Sequence, residues 1–210
     1  MQPRFIPWTP EGDPRFGGVR LLVLGESHYE EGDWIDDGRP LPSDYTIGLV
    51  RDWGVRPPAR QPFYASVYSA LTGQPWEADQ AKLEAFWNSV LHYNYVQKLV
   101  PGGARAPVPG DFWSFSEPMF RTVLEELRPE AIVVTGRRLW RNMAEEDAVL
   151  RPSDDPMEVW VGYRLSDGRL VPAMHIRHPS SPGFDWRKAA PSVEAFLQEV
   201  RAGSIARNPA

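Results

Sequence analysis

Continuous apolar runs alternate along the chain with segments of helical period. The segment 19–25 is almost wholly apolar and ends at Gly25, which is typical of a central strand covered on both faces. Further strands are predicted at residues 88–97, which are rich in β-branched and aromatic side chains, at the run AIVVTG (131–136), and at two runs across 158–176. The last two runs flank Ser166-Asp167-Gly168, which predicts a hairpin.

Helical periodicity fills most of the space between these strands. The pattern predicts helices at 64–72, 79–87, 116–127, from 137 onward, and at about 191–202. Asp79 is placed to cap the second helix. Ser114 and Glu117 form a capping box ahead of the third, whose apolar residues recur at i, i+3, i+4 and i+7.

Strands that alternate with helices predict an α/β fold with a mainly parallel sheet covered by helices on both faces. We expect a single domain over residues 1–210, with the Gly- and Pro-rich stretch 30–62 as a long, mostly irregular crossover. Ligands in such sheets bind beyond the carboxyl ends of the strands. This rule selects Gly25 to Tyr29, the neighbourhood of Asn94, and His178 to Ser181.

Composition narrows the class of protein. The chain has no cysteine, so thiolate ligation of zinc or of an iron-sulfur cluster is excluded, and a reducing compartment is compatible. No apolar window is long enough to span a bilayer, and the first residues lack the apolar core of a signal peptide, so we expect a cytoplasmic protein without membrane contact. A net charge of −5 argues against binding nucleic acid over the whole surface, but allows a local basic face.

Glu26 and His28 follow directly after the first strand, where side chains face a cleft in many α/β proteins. An acid at this place can orient a water molecule or stabilise a cation. It can equally cap the following turn.

The segment His178-Pro179-Ser180-Ser181-Pro182-Gly183 follows the last strand. Its prolines fix the backbone and its hydroxyls can bind phosphate oxygens, although a plain Pro/Ser turn has a similar composition. Arg177 flanks this loop. A second group, Arg137, Arg138 and Arg141, is accounted for by a solvated helix face.

Several common catalytic motifs are absent from the sequence. There is no G-x-S-x-G, Walker or G-x-G-x-x-G motif, so hydrolase-triad, P-loop and dinucleotide-binding classes lose their usual signatures. The four histidines, His28, His92, His175 and His178, show no paired metal-ligand spacing. A metal-dependent hydrolase built from them stays a third hypothesis, and we expect no metal.

In this order the motifs resemble the uracil-DNA glycosylase superfamily over about residues 19 to 200. Gly25-Glu26-Ser27-His28-Tyr29 resembles the segment that positions the hydrolytic water, and His178-Pro179-Ser180 matches the second motif letter for letter. The resemblance implies a three-layer α/β/α sandwich with a central, mainly parallel four-stranded sheet. The cluster-binding cysteines are missing. The chain therefore resembles a divergent bacterial member without the iron-sulfur cluster, and the resemblance implies no cofactor.

The same resemblance assigns roles between the two motifs. Pro62-Phe63 is similar to the Pro-Phe of the iron-sulfur branch, which makes Phe63 the ring that stacks on an extruded base. Asn94 resembles the Asn that reads the base edge, with Asn88 as the alternative. Tyr29 lies where the most active branch has the Tyr that blocks the thymine methyl.

The implied activity is monofunctional DNA base excision by a monomer, in which the N-glycosidic bond of uracil or a related deaminated base is hydrolysed after the base is flipped out of single- or double-stranded DNA. His178 then donates a hydrogen bond to the developing oxyanion of the base, and Glu26, or His28 in its place, orients water. The substrate-binding set is Gly25, Ser27, Tyr29, Phe63 and Asn94, and the expected DNA contacts are Arg177, Ser180, Ser181 and a wedge, Phe184. A non-catalytic member that binds nucleotides or nucleic acid is the alternative.

Overall fold

A computed structural model of the chain describes residues 1–30, 41–103, 105–155 and 158–205. Within these ranges the strands are β1 Leu21–Gly25, β2 Leu91–Asn94, β3 Ala131–Thr135, β4 Ala148–Arg151, β5 Trp160–Arg164 and β6 Leu170–Ile176. The helices are α1 Tyr45–Leu49, which continues into a π-helical segment Val50–Val55, α2 Pro62–Thr72, α3 Gln80–Trp87, α4 Gly110–Leu127, α5 Arg137–Asn142 and α6 Trp186–Arg201.

The strands form one sheet in the order β2-β1-β3-β6-β5-β4. The first four are mutually parallel, while β5 runs antiparallel to both β6 and β4. The fold is α/β and four strands of its sheet are parallel, as expected. The expected number of strands, four, is wrong, because the described sheet has six. The two additional strands come from the β5–β6 hairpin, which the sequence predicts, and from β4, which it does not.

Each face of the sheet carries its own apolar core. Leu21 and Val23 point to a core that also contains buried residues of α2, α3 and α6. Leu22 and Leu24 point to the opposite core, which contains residues of α4 and α5. Because adjacent strand residues alternate between faces, a strand covered on both sides must be apolar at every position, as β1 is.

Local chemistry explains where most helices begin. Gln61 precedes Pro62 and accepts a hydrogen bond from the Tyr64 N–H, so α2 begins earlier than the expected residue 64. Asp79 caps α3 through the N–H groups of Ala81 and Lys82, which confirms the expected start.

The expected start of α4 is wrong. Ser114 is not a cap; its hydroxyl donates to the Asp111 carbonyl inside a helix that already begins at Gly110. The helix α6 also begins earlier than expected, at Trp186, because Asp185 accepts from the Arg187 N–H. Pro191 therefore lies inside α6, in its second turn.

The stretch 30–62 contains more regular structure than expected. Residues 31–40 of it lie outside the described residues, but 45–55 form α1 and the π-helical segment. Gly54 allows this segment to approach α3 closely, since a Cβ there would lie 2.8 Å from the Trp87 ring. This close approach accounts for the glycine at position 54.

The N-terminal segment covers the outer edge of β2. The Trp8 N–H donates to the His92 carbonyl at 2.8 Å, and the His92 N–H donates back at 3.1 Å. Phe5 is fully buried. Among the described residues, none of the helices has the length and apolar character needed to traverse a lipid bilayer.

Candidate active site

The carboxyl ends of the parallel strands bring three sequence motifs to one edge of the sheet. Gly25 at the end of β1 pairs in register with Asn94 at the end of β2. Two strands away, Ile176 ends β6 opposite Thr135 of β3, and the chain then continues to His178. Residues far apart in sequence therefore surround the same edge, as the carboxyl-end rule predicts.

Gly25 makes room for the Asn94 side chain. A Cβ at position 25 would lie 2.0 Å from Asn94 Oδ1 and 3.1 Å from His92 Cε1. Asn94 is buried, and the fully buried Gln97 fixes its backbone by donating from Nε2 to the Asn94 carbonyl at 2.7 Å. Gln97 also accepts from the Phe5 N–H, which links the N-terminal segment to this point. The position of Asn94 is therefore set before any ligand arrives.

His28 lies under this arrangement and holds Asn94. Asn94 Nδ2 is 3.2 Å from His28 Nδ1, and His28 Nε2 is 2.9 Å from Thr46 Oγ1. The rings of Phe5 and Tyr45 pack edge-on against the imidazole, each at 4.9 Å. Burial, and secondarily His92, lowers the pKa of His28 to about 3. Because this ring is buried and weakly basic, it supports Asn94 but is poorly suited to activating water near pH 7.

Glu26 is engaged on both carboxylate oxygens. Arg138 donates from Nε to Oε2 at 2.9 Å and from Nη2 to Oε1, and the Tyr29 hydroxyl donates to Oε1 at 2.9 Å. Arg138 Nη2 also contacts the Tyr29 hydroxyl oxygen at 2.6 Å, and Ser27 Oγ lies 3.5 Å from Oε1. The expected acid is therefore part of an ion pair that also includes Tyr29.

Arg138 is the functional residue that sequence reasoning missed. It comes from the first turn of α5, directly after β3, and its Nη1 donates to the Ala106 carbonyl at 2.9 Å. Its neighbours Arg137 and Arg141 are exposed, as a solvated face requires, but the Arg138 side chain turns to Glu26. The hydrogen bond to Glu26 raises the pKa of Arg138 above its ordinary value. Its position in the sequence was the signal that could have identified it, because Arg138 follows β3, the neighbour of β1, at the same edge of the sheet.

His178 is held in one tautomer by its own loop. Its Nδ1 accepts from the Ser180 N–H at 3.2 Å, so the proton of the neutral ring is on Nε2. The His178 carbonyl accepts from the Ser181 N–H and from Ser181 Oγ at 2.7 Å. Gly136, with φ of +126°, lies against the ring, since a Cβ there would be 3.2 Å from His178 Cδ2. The result is a rigid, neutral imidazole with one N–H that can act as a donor.

The surroundings of His178 keep it neutral. Burial lowers its pKa; among nearby charges, Glu26 acts to raise it, and Arg138 and Arg105 act to lower it further. Gly136, which lies against the His178 ring, is followed two residues later by Arg138, whose side chain is bonded to Glu26. The pair and the histidine therefore belong to one site.

Phe63 connects the two sides of the site. Its ring centroid lies 5.8 Å from that of His178 and 5.8 Å from that of His92, with tilted ring planes in both cases. It is the second residue of α2 and is partly buried. The structure thus brings Phe63, His178, Glu26 and Asn94 to one edge of the sheet, as the sequence predicts.

The expected DNA contacts differ in their availability. Arg177 is exposed, with Nη1 3.5 Å from the Gly183 carbonyl. Ser180 and Ser181 are partly buried and their bonds shape the loop around His178. Phe184 is partly buried against the core that contains α6, which leaves less of its ring for a wedge between bases.

The two remaining histidines, His92 and His175, have different surroundings from each other. His92 is buried and donates from Nδ1 to the Val23 carbonyl at 3.0 Å, and burial lowers its pKa to about 4. His175 packs against Trp140 at 5.9 Å between ring centroids. Within the part of the chain that the structure describes, no three His, Asp or Glu side chains are grouped so that they could hold a metal ion.

Comparisons with known proteins identify no family for this chain. No protein-family model matches it, and no curated protein does so either.

Proposed function

We propose that this protein hydrolyses the N-glycosidic bond of uracil, or of a related deaminated base, flipped out of DNA. The observation that carries the proposal is the state of His178: its Nδ1 is an acceptor for the Ser180 N–H, so that Nε2–H remains as a donor at the carboxyl edge. Cleavage of the bond leaves the electron pair on the base, and a fixed neutral donor stabilises the anion that forms.

The other groups at the edge support the same chemistry. The Phe63 ring, 5.8 Å from the imidazole, offers an aromatic face against which a planar base can stack. Asn94 is held by Gly25 and by the bond between its Nδ2 and His28, and we assign its remaining amide atoms, Oδ1 and the second N–H, to the base edge. As the bond breaks, the sugar becomes an oxocarbenium-like cation; the oxygen of water then bonds to its C1′, and the proton that it releases neutralises the base anion, which leaves as the free base. Glu26 is the acid that we assign to orienting that water, which requires one of its bonds to Arg138 or Tyr29 to open.

One observation favours the alternative of a non-catalytic member that binds nucleotides or nucleic acid. Glu26 shares both oxygens with Arg138 and Tyr29, so its lone pairs are occupied. A carboxylate bound in this way holds the loop together and does not orient water. The two functions therefore differ in whether Glu26 becomes available.

The test is incubation with uracil-containing single-stranded DNA, followed by alkali, which cleaves the strand at abasic positions. We expect cleavage with the native protein and a loss of roughly 10²–10³-fold in rate for His178→Ala, the usual effect of removing an oxyanion donor. His178→Gln, which keeps an N–H donor, is the matched variant and should retain part of the activity. Unchanged DNA that is nevertheless bound would support the binding function, and activity abolished by a chelator would contradict the metal-free mechanism.

A further inference from the structure

The Glu26–Arg138 pair has the properties of a contact that a ligand can open. A carboxylate has about four lone-pair positions, and here Arg138 takes two, Tyr29 takes one and Ser27 Oγ lies near the fourth. Glu26 consequently has little capacity left for a water molecule. Any function that needs this carboxylate as an acceptor requires one partner to leave.

Arg138 is the partner best placed to leave. The Glu26 side chain is only 7% exposed, whereas the Arg138 side chain is 37% exposed. A planar guanidinium binds phosphate in the same two-pronged way as it binds carboxylate. A phosphate group that reaches Arg138 from its exposed side can therefore take over the Nε and Nη2 bonds that Glu26 now accepts.

The charges around Arg138 favour an approaching anion. Arg105 and Arg177 are both exposed. Arg105 precedes Ala106, whose carbonyl accepts from Arg138 Nη1, and Arg177 precedes His178. Glu26 is the acid that neutralises Arg138 there. In a protein with a net charge of −5, this edge thus offers cationic groups to a phosphodiester strand.

We propose that Arg138 is a positioning residue that exchanges the Glu26 carboxylate for a phosphate oxygen of a bound nucleic-acid strand, and that Glu26 is released only when the strand is present. The role of the released Glu26 in orienting water rests on the proposed function. The exchange itself does not, because it requires binding but no bond cleavage. In the free protein the site is therefore closed by its own ion pair.

The exchange is visible in the Nε–H resonance of Arg138 in protein labelled with ¹⁵N-arginine, assigned by its loss in Arg138→Lys. The probe is a single-stranded oligonucleotide of thymidines, which supplies phosphates but no uracil, with inorganic phosphate as the small-anion comparison. We expect the Arg138 signal to move and to saturate together with binding measured by fluorescence anisotropy. Arg141→Gln, which alters an exposed arginine of the same helix, should respond as the native protein does.

Affinity gives a second, independent readout. In Glu26→Gln, Arg138 no longer has to leave a carboxylate, so we expect the oligonucleotide to bind about fivefold more tightly, the lower end of typical coupling effects. Glu30→Gln changes the net charge equally and is the matched control; it should give a clearly smaller gain. In Glu26→Gln combined with Arg138→Gln the gain should disappear, since the released guanidinium is then missing.

The proposal is overturned if the oligonucleotide saturates the protein while the Arg138 signal stays fixed, if neither probe binds or moves that signal, or if Glu26→Gln and Glu30→Gln bind alike. These outcomes are separable from those for base excision. Movement of the Arg138 signal without release of uracil would overturn the excision function alone. Release of uracil with an unmoved Arg138 signal would overturn the exchange alone.

Discussion

The backbone of Gly25 lies directly against the amide of Asn94, and this contact limits what residue 25 can be. Any Cβ would lie 2.0 Å from Asn94 Oδ1, far inside van der Waals contact. The sequence indicates a strand ending in glycine, but not the reason for the glycine. That reason is the side chain of a residue at the end of the neighbouring strand β2, which no local pattern around Gly25 contains.

Gly25→Ala should therefore displace Asn94 and lower the free energy of unfolding by about 1–3 kcal/mol, the usual cost of overpacking a buried site. Gly48→Ala is the matched control, since the residue is in α1 and, apart from its chain neighbours and the helix's own backbone, no atom lies within 4 Å of the position that its Cβ would take. Urea unfolding of the two variants checks the prediction. Equal stability of both would show that the contact at Gly25 is not constraining.

The candidate residues divide according to how local their signals are. His178, Glu26 and Asn94 could be selected from the sequence because they lie at or just after strand ends at one predicted edge, whereas Phe63 was selected only through the resemblance of Pro62-Phe63 to a family motif. Arg138 could not, because its role depends on where a side chain turns after β3, and an exposed face accounts equally well for neighbouring arginines. The position of His28 at the strand end could be predicted, but its burial could not, because that burial depends on Phe5 and Tyr45.

At the scale of elements, strands and helix centres could be predicted more securely than helix starts. The capping box at Ser114 was a false signal, because the helix had already begun at Gly110. The strand β4 is only four residues long, and its apolar run, Ala148 to Leu150, is too short to distinguish a strand from other structures. Its pairing with β5 determines its structure, and pairing is not a local property.

The cap of α6 gives a prediction at this scale. Asp185 accepts from the Arg187 N–H at 3.1 Å and ends the loop that begins at His178. Asp185→Ala should lower the free energy of unfolding by about 1 kcal/mol, the typical value of an N-cap. Asp185→Asn keeps a good cap and should remain close to the native stability in the same urea titration; if the two substitutions are equivalent, the cap does not stabilise α6.

At the scale of the whole molecule, the α/β architecture was the most predictable property. Uninterrupted apolar strands separated by helices allow few arrangements other than a covered parallel sheet, and the described order β2-β1-β3-β6 is of that type. The antiparallel β5 was predicted through its hairpin with β6, but β4 and the N-terminal segment along β2 were not predicted from the sequence pattern. Each lies at an edge of the sheet, β4 beside β5 and the N-terminal segment beside β2.

Buried histidines should make global stability sensitive to pH. The pKa values of His28 and His92 are about 3 and about 4 in the folded protein, against an ordinary 6.5. The unfolded chain therefore binds protons that the folded protein does not, and stability is lost as the pH falls below about 6.5. Each histidine contributes a slope of up to about 1.4 kcal/mol per pH unit.

Urea unfolding between pH 7 and pH 5 measures this slope. Carboxylates whose pKa is lowered by arginines or backbone N–H groups, such as Asp147 and Asp167, have an ordinary pKa of 3.8 in the unfolded chain and lose their contribution mainly below this window. His92→Gln should reduce the slope by about one proton. A flat profile from pH 7 to pH 5 would contradict the burial of these neutral rings.

The imidazole of His178 offers the most direct test of base excision at this site. The measurement is the ¹⁵N spectrum of histidine-labelled protein near pH 7, alone and with single-stranded DNA containing 2′-fluorodeoxyuridine, whose fluorine slows cleavage by destabilising the oxocarbenium ion. We predict a neutral ring with Nδ1 as acceptor and the proton on Nε2, and a shift of the Nε2–H signal that the thymidine oligonucleotide does not produce. A proton on Nδ1, or a His178 signal that stays unchanged while the fluorinated DNA is bound, would contradict the proposed role.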